Sequence, residues 1–421
     1  MNNQIHIFEI AKSTAGVGEY IRWIAKGLDP SRFRLTVACL SEGGPELATE
    51  LERVPGVRAL SLAMNRYQVD PFSDIRVAVQ LARMIRRERF DLIHAHASKP
   101  GFLARMAAAG SGVPVIYSPH CFAFHQGTGR IQASAIAAIE RLAARYLTER
   151  IITVSDGERD LALQYRVGRS DQVTTIHSGI DTRPFDRPLD RAAQRAALGV
   201  PPEAPLVGTV GRFNPQKAPL DFIRAAARVH ARRPEVHFIW IGSGPLEAEA
   251  RAAVAAQGLA DVFHFAGQRA DVPDSMRAFD IFVLSSRWEG FPLTVLEAMA
   301  GGVSVVATRV MGTAEAVQDG ETGLLVAPGA PEELAYALLT LLDDPARAQS
   351  FGARGRERIE QEFTREMMLT QLVQVYQEVY ERLPRNRRRR NIIEVQPATV
   401  PGSTQQYPLQ ERTVTAPRRE Q

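Results

Sequence analysis

Residues 281–297 read Ile281-Phe282-Val283-Leu284-Ser285-Ser286-Arg287-Trp288-Glu289-Gly290-Phe291-Pro292-Leu293-Thr294-Val295-Leu296-Glu297. The four apolar residues Ile281–Leu284 suit a strand buried on both faces. After a short loop, Pro292 suits the first turn of a helix, where its missing N–H costs nothing. Strand, loop and helix in that order form one βα unit of a parallel sheet. The first-turn N–H groups then point out of the carboxyl edge of the sheet. Ligands sit at that edge in open α/β folds, and a helix N-terminus there favours an anion. Glu289, in the loop before the helix, reaches the same place. Glu297 lies some ~7.5 Å further along the axis. That separation suits two hydroxyl-bearing groups of one elongated ligand better than two carboxylates sharing one reacting bond. A capping Glu followed by a solvated one would give the same spacing.

The strand–helix alternation extends in both directions, so the chain reads as α/β with parallel sheets. In the first half, strands are expected at Ile5–Ile10, Leu35–Leu40, Asp91–Ala95, Val115–Tyr117, Ile151–Val154 and Val173–Ile176. Amphipathic helices are expected at Glu19–Leu28, Ile75–Arg87 and Ile136–Leu147. A connector rich in Arg, Asp and Pro runs to Pro205. The rhythm then restarts with strands at Leu206–Val210, His237–Ile241, Val262–Phe265, Ile281–Leu284, Ser304–Ala307 and Leu324–Val326. Helices follow near 331–343, 345–361 and 365–383. The division is a first domain 1–182, a linker 183–205, a second domain 206–364, a final helix 365–383 and a tail 384–421. The tail is poor in large apolar residues and reads as disordered.

A chain of 421 residues exceeds what one core usually supports, which agrees with two domains. No run reaches the roughly 18 apolar residues that span a bilayer. The first ten residues alternate like a strand rather than a signal peptide. Two cysteines, Cys39 and Cys121, exclude a disulfide framework and fit a reducing cytoplasm. Charge is uneven: residues 1–180 carry 22 Lys/Arg and 17 Asp/Glu, residues 181–383 carry 21 and 27, and the tail carries 8 and 3. A basic first half and tail beside an acidic second half suggest a negatively charged partner; drift over solvated surface is the bland alternative.

A second cluster, Gly211-Arg212-Phe213-Asn214-Pro215-Gln216-Lys217, follows the strand Leu206–Val210. Two cations on one loop at a sheet's carboxyl end can neutralise a diphosphate, Arg as a planar fork and Lys as a point charge; a solvated basic loop would look the same. No Asp-x-Asp occurs, so the usual bridge from metal to diphosphate is missing. Gly16-Val17-Gly18 and Gly242-Ser243-Gly244 each lack the third glycine of the dinucleotide fingerprint, with Ile21 and Glu247 in its place. The first pair still turns the chain tightly into a helix, and the second reads as a turn. His94 and His96 share a strand face with no third ligand near in sequence, which favours a structural role over metal. His120, in a loop at a strand's carboxyl edge, is open to a substrate.

Together these residues resemble glycosyltransferase family 4, retaining enzymes of the GT-B fold, over about residues 4–383. Glu289 to Glu297 looks like the family's Glu-seven-residue-Glu signature, and Gly211-Arg212 with Lys217 its phosphate loop. Gly312–Glu315 with Asp319–Val326 resembles the segment after the signature helix. His120 resembles the first-domain histidine, and Gly16–Glu19 the first loop. The resemblance implies two Rossmann-like domains facing a central cleft, with the last helix crossing back to the first. It implies a nucleotide-diphosphate sugar as donor, a saccharide or polyprenol-linked acceptor, and neither metal nor cofactor. Glu289 would hold the donor sugar's hydroxyls, and Glu297 the ribose. Arg212 and Lys217 would hold the diphosphate, and His120 would contact the sugar. Gly16, Gly18, Gly211, Gly290, Phe291, Pro292, Leu293 and Thr294 would line the donor site. Departures are Cys121 and Ala218 at common Gly positions, and Met311 and Ala314 where a Gly and a Pro are common. The stretch Ala95–His125 looks most like bacterial surface-polysaccharide members. A nucleotide-sugar epimerase or a non-catalytic sugar-nucleotide-binding protein are the alternatives; nucleic-acid binding is suggested by the tail alone and is not expected. Arg385 and Arg387–Arg390 add a peripheral position on the inner face of an anionic membrane.

Overall fold

The computed structural model describes residues 4–384 apart from 14, 42–45, 66–69 and 126. The expected disordered tail and its arginines lie outside the described residues. The first sheet has seven parallel strands: β1 Ile5–Lys12, β2 Phe33–Ser41, β3 Val57–Ala63, β4 Leu92–His96, β5 Val115–Ser118, β6 Arg150–Thr153 and β7 Val173–Thr175, in the order β3-β2-β1-β4-β5-β6-β7. The second has six, also parallel: β8 Leu206–Val210, β9 His237–Ile241, β10 Phe263–Gly267, β11 Ile281–Leu284, β12 Ser304–Thr308 and β13 Gly323–Val326, in the order β10-β9-β8-β11-β12-β13. Helices cover the faces, which is why β4, β11 and β12 are buried at every position.

In each sheet the winding reverses once, between β1 and β4 and between β8 and β11. At such a point the loops leave in opposite directions and open a crevice at the carboxyl edge. The helix start after β1 carries the glycine pair, and the loops after β8 and β11 carry the basic cluster and Glu289.

All twelve expected strands are present. The edge strand β3 is additional: of its seven residues only Ala59 is buried, so it lacks an apolar run. The expected connector 183–205 is instead partly helical, with a short turn at Arg183–Asp186 and a helix at Arg191–Ala197. It is pinned to the second domain by the buried Arg195, whose guanidinium donates to Ala278 O (2.9 Å), Pro202 O (2.8 Å), Ala204 O (3.0 Å) and Asp280 Oδ2 (2.7 Å).

The chain crosses between domains twice, and the crossings touch. Ile180 N donates to Phe363 O, and Arg365 N to Ile180 O. Gly179 is required there, because a Cβ would lie 2.1 Å from Thr364 O. The helix Arg365–Glu381, capped by the Thr364 hydroxyl accepting from Met367 N, then returns to the first domain. It buries Leu369, Leu372, Val375, Tyr376, Val379 and Tyr380. Leu369 packs where a Cβ on Gly27 would be only 2.2 Å away, and Arg150 pairs with Glu378 at 2.9 Å.

Candidate active site

The two basic and acidic loops of the second domain are zipped together. Arg287 N donates to Gln216 O, Ser285 Oγ to Lys217 O, and Gln216 Nε2 to Trp288 O. This brings Lys217 Nζ within 2.6 Å of Glu289 Oε1, which also accepts from Ser286 Oγ at 2.6 Å. Gln216 Nε2 reaches Glu289 Oε2 at 3.2 Å. Glu289 is 5% exposed, so its charge is tolerated only because these donors surround it. Arg212 stands half-buried at the loop's start. The loop is seated by Gly242 and Gly244: a Cβ on the first would lie 2.1 Å from Gly211 O, and on the second 2.5 Å from Phe213 O. That close approach explains the second glycine pair, which leads into a turn at 245–246 rather than forming one itself.

The signature helix runs Leu293–Ala300, and Pro292 is its N-cap rather than its first residue. The φ of Pro292 is helical but its ψ of 104° is extended, so the helix begins one position later than the proline rule suggests. Thr294 Oγ1 is buried there, with no hydrogen-bond partner among the described residues. The Phe291 ring packs inward against His177 and Phe363, leaving only its backbone for a ligand. Glu297 is half-buried, and among the described residues no hydrogen bond reaches its carboxylate. Burial, with Glu19 of the first domain nearby, raises its pKa to about 8.

Across the cleft the helix Ala15–Gly27 begins, with Gly16 and Gly18 in its first turn. A Cβ on Gly16 would sit 3.1 Å from Leu293 Cδ1, so the starts of the two helices come into contact. Two such starts, with the Lys217–Glu289 pair on the loop before the second of them, make a place suited to a diphosphate.

His120 lies on the same side, after β5, with φ 52°, and Cys121 follows at φ 92°. Ala97, between β4 and the helix Ser98–Ala108, and Ala218, beside Lys217, are also at positive φ. Four of the five described non-glycine residues in this region of backbone space therefore border the cleft, where strain is held by surrounding structure. Glu158 does the holding at Cys121: its carboxylate accepts from Cys121 N (2.6 Å) and Val154 N (3.0 Å). Burial raises its pKa to about 7. A Cβ on Gly290 would lie 3.1 Å from Cys121 N, so this turn touches the signature loop of the other domain.

His94 and His96 are fully buried, which agrees with a structural role, but the absence of a near third ligand holds only along the sequence. Parallel pairing puts Glu9 of β1 beside them: Glu9 Oε2 is 2.7 Å from His96 Nε2 and 3.6 Å from His94 Nδ1. Every ligand atom of this trio already has a protein partner, with Tyr376 OH on Glu9 Oε1 and His94 Nδ1, Ser118 on His94 Nε2, and His120 on His96 Nδ1.

Three further contacts were not signalled by any motif. Trp288 of the signature loop stacks on His125 of the first domain at 4.5 Å. Glu315 accepts from Asp156 N (2.8 Å) and Gly157 N (2.7 Å) and meets His177 Nε2 at 2.9 Å. It thereby caps a first-domain helix from the second domain. Two helix-start amides after Val154-Ser155 offered the only local signal for that contact.

Residues 15–179 match the family model described as glycosyl transferase 4-like domain, and residues 204–344 that of glycosyl transferases group 1. D-inositol 3-phosphate glycosyltransferase of Thermobispora bispora is 30% identical over 363 residues, covering 81% of this chain and 84% of the relative. Its counterpart in Catenulispora acidiphila, named with the suffix 2, is 35% identical over 289 residues, 64% of this chain and 66% of that one, just under two thirds of its length. The Escherichia coli UDP-Gal:alpha-D-GlcNAc-diphosphoundecaprenol alpha-1,3-galactosyltransferase is 27% identical, covering 75% and 82%. In fold, the crystal structure of Anabaena HepE in complex with UDP and glucose superposes with a TM-score of 0.77 at 22% identity, over 89% of this chain and all of that one. The chain therefore belongs to the group 1 glycosyltransferases, glycosyltransferase family 4, nucleotide-sugar enzymes with the GT-B fold.

Proposed function

We propose that this chain transfers a sugar, with retention of anomeric configuration, from a nucleotide-diphosphate sugar to a saccharide or polyprenol-linked acceptor in cell-surface polysaccharide or glycolipid synthesis. The observation that carries this reading is the meeting of two helix N-termini, at Gly16 and Leu293, beside the Lys217–Glu289 pair. In this reading Lys217 and Arg212 hold the diphosphate and stabilise it as it leaves. The Lys217–Glu289 pair opens to admit ligand: Lys217 turns to phosphate, and Glu289 accepts from sugar hydroxyls. Glu297, whose carboxylate receives no hydrogen bond among the described residues, accepts from the ribose. No protein nucleophile is assigned; the departing phosphate takes the acceptor's proton during front-face attack, and the protein supplies position and electrostatics. Cations and helix ends do the work of a metal, so EDTA leaves activity intact. The domain division is 1–182, 183–205, 206–364 and 365–383, supported by the paired crossings at Ile180 and Thr364.

Incubation with a nucleotide sugar and acceptor, followed by proton NMR of the new linkage, tests the reading. The expected product keeps the donor's anomeric configuration. Inversion refutes retention, while sugar interconversion without acceptor would make the chain an epimerase. Nucleotide-sugar binding without turnover would make it a binding protein.

The E. coli relative's diphosphoundecaprenol acceptor and the uneven charge support work at the inner face of an anionic membrane. Among the described residues, no helix is long and apolar enough to cross one. One first-domain surface suits adsorption instead. The helix Pro71–Arg87 exposes Phe72, Ile75 and Val79 on the stripe that also carries Arg76, Arg83, Arg86 and Arg87. The helix Arg130–Leu147 exposes Ile131, Ile139, Leu142 and Tyr146 beside Arg141 and Arg145. With Met106 between them, these are eight of the ten large apolar side chains exposed among the described residues, so the apolar surface is concentrated on one side. Such a face enters the headgroup region, each arginine adding about 1 kcal/mol on an anionic surface. Co-sedimentation with anionic vesicles at low salt, absent with neutral ones, is expected; no binding by the full chain would end this reading. A version ending at Pro384 separates the tail's share.

A further inference from the structure

The carboxyl ends of β1, β4 and β5 enclose a chain of side chains that runs from the crossover helix to the cleft. Tyr376 OH lies 2.7 Å from Glu9 Oε1, and Glu9 Oε2 lies 2.7 Å from His96 Nε2. His96 Nδ1 is then 2.9 Å from His120 Nε2. We propose that Glu9, acting through His96 and steadied by Tyr376, holds His120 as the Nε2–H tautomer, so that its Nδ1 is a fixed acceptor for a donor-sugar hydroxyl. This rests on the reading that His120 meets the donor sugar and adds what sets the ring for it.

The directions of the hydrogen bonds follow from one charge. Burial opposes ionisation of Glu9, but His94 and His96 beside it hold its carboxyl well below the usual range. A carboxylate only accepts, so Tyr376 donates to Oε1 and His96 carries its hydrogen on Nε2. Burial and the neighbouring His94 bring His96 down to about 4, so the ring is neutral at pH 7 and its Nδ1 is a bare lone pair. The hydrogen in the 2.9 Å contact must then belong to His120 Nε2. His120 is itself kept neutral by burial, with His96, His94 and Lys12 adding to the effect and Glu9 opposing it. A neutral imidazole with its hydrogen on Nε2 has an unprotonated Nδ1. Among the described residues no hydrogen bond reaches that atom.

The remaining atoms fit the same assignment. Tyr376 Oη lies 2.6 Å from His94 Nδ1, and Ser118 Oγ 2.9 Å from His94 Nε2, so both nitrogens of that ring are already engaged. The Tyr20 ring stands edge-on to His120 at 4.9 Å, which limits its rotation. Glu9 and Tyr376 never reach the cleft and act as positioning residues. The helix that supplies Tyr376 also joins the two domains, so the ring's setting depends on that helix being docked.

The test uses the full chain labelled with 15N-histidine, with His120 assigned from the spectrum of His120→Gln. Long-range proton–nitrogen correlations at pH 7 should show His120 as the neutral Nε2–H form. In kinetics, His96→Phe and Tyr376→Phe should each lower kcat/KM roughly tenfold, the scale of one hydrogen bond. Neither should lower it further in a His120→Ala background, because both act through His120. An Nδ1–H or doubly protonated His120 overturns the proposal, as do losses that simply multiply with that of His120→Ala. Tyr376→Phe keeps the ring volume, so it stays informative if His96→Phe unfolds. Full activity in His120→Ala would instead remove the donor contact, and the spectrum would still report the tautomer.

Discussion

The two halves of the cleft are assembled differently. In the second domain, Lys217 and Glu289 come from the loops after β8 and β11, and their partners Gln216 and Ser286 are near them in sequence. In the first domain, Glu9, His96, His120 and Tyr376 come from β1, β4, the loop after β5 and the last helix, with Glu9 and Tyr376 separated by 367 positions. Exposure differs too. Glu297 and Arg212 are half-buried, whereas Glu9, His94 and His96 are wholly enclosed. In the proposed reading the second half offers charge to a substrate, and the first uses the buried Glu9 to orient imidazoles. Charge that stabilises a leaving group is worth most where water is excluded yet ligand can enter. A carboxylate used only for orientation is best kept from water altogether.

The largest effect should come from the second half. Lys217→Ala and Glu289→Ala are each expected to lower turnover at least about a hundredfold, roughly 3 kcal/mol, the scale of losing a preorganised stabiliser. Near-normal turnover in either folded variant would mean that the paired charges serve the loops and not the reaction. Lys217→Ala also strands a buried Glu289, so its melting temperature should fall more than that of the reverse variant.

Next comes the contact that joins the halves. Glu315→Ala removes charge-assisted bonds to Asp156 N and Gly157 N and the link to His177. Their loss should cost about 2 kcal/mol and open the cleft. Small-angle scattering should give a larger radius of gyration for the variant, and nucleotide should compact it more than wild type. An unchanged radius would show that Trp288 on His125 and Gly290 on Cys121 suffice.

A smaller effect concerns pH. Glu297 releases its proton near 4.5 when unfolded and about 8 when folded. The folded state binds more protons between those values, so stability falls as pH rises from 4.5 to 8, and the full penalty stands above 8. Glu297→Gln should therefore raise the melting temperature at pH 8.5 by a few degrees, about 1 kcal/mol after allowing for solvent, with little change at pH 5. It should also weaken nucleotide binding if the carboxylate holds the ribose. A variant equally stable at both pH values relative to wild type would contradict the burial argument.

The same contrast explains what the sequence made legible. All twelve expected strands appear because each is an apolar run bounded by turn residues, and both carboxyl-edge loops of the second domain lie within a dozen residues of such a run. The edge strand β3 was illegible because only one of its residues is buried. Glu9 was illegible for another reason. In Ile5–Ile10 it occupies a core position that looks like an interruption, and its partners arrive through parallel pairing with β4 and through a helix from the far end of the chain. Phe291 was placed at the donor by its motif, yet its ring fills the gap beside His177 and Phe363. Spacing reports which backbone turns toward a ligand better than which side chain does.

The smallest effect tests the backbone at the two positions where the sequence departs from a common glycine. Ala218, in the second half, has φ 45° and ψ 60°, close to the left-handed well near 57° and 47°. Cys121, in the first half, has φ 92°, well outside it. A side chain with a Cβ pays for this region by about 1–2 kcal/mol, more as φ leaves the well. Glycine removes that cost but gains freedom in the unfolded chain, which takes back up to about 1 kcal/mol. Ala218→Gly should therefore leave the melting temperature nearly unchanged. Cys121→Gly should raise it by one or two degrees, because the relief outweighs the entropy and only one small side chain leaves the contact with Gly290. Turnover should stay within about twofold in both, since Glu158 still holds the amide of residue 121. If Cys121→Gly melts lower than wild type, the carboxylate and neighbouring packing already pay for the turn, and the thiol's contacts outweigh its backbone strain.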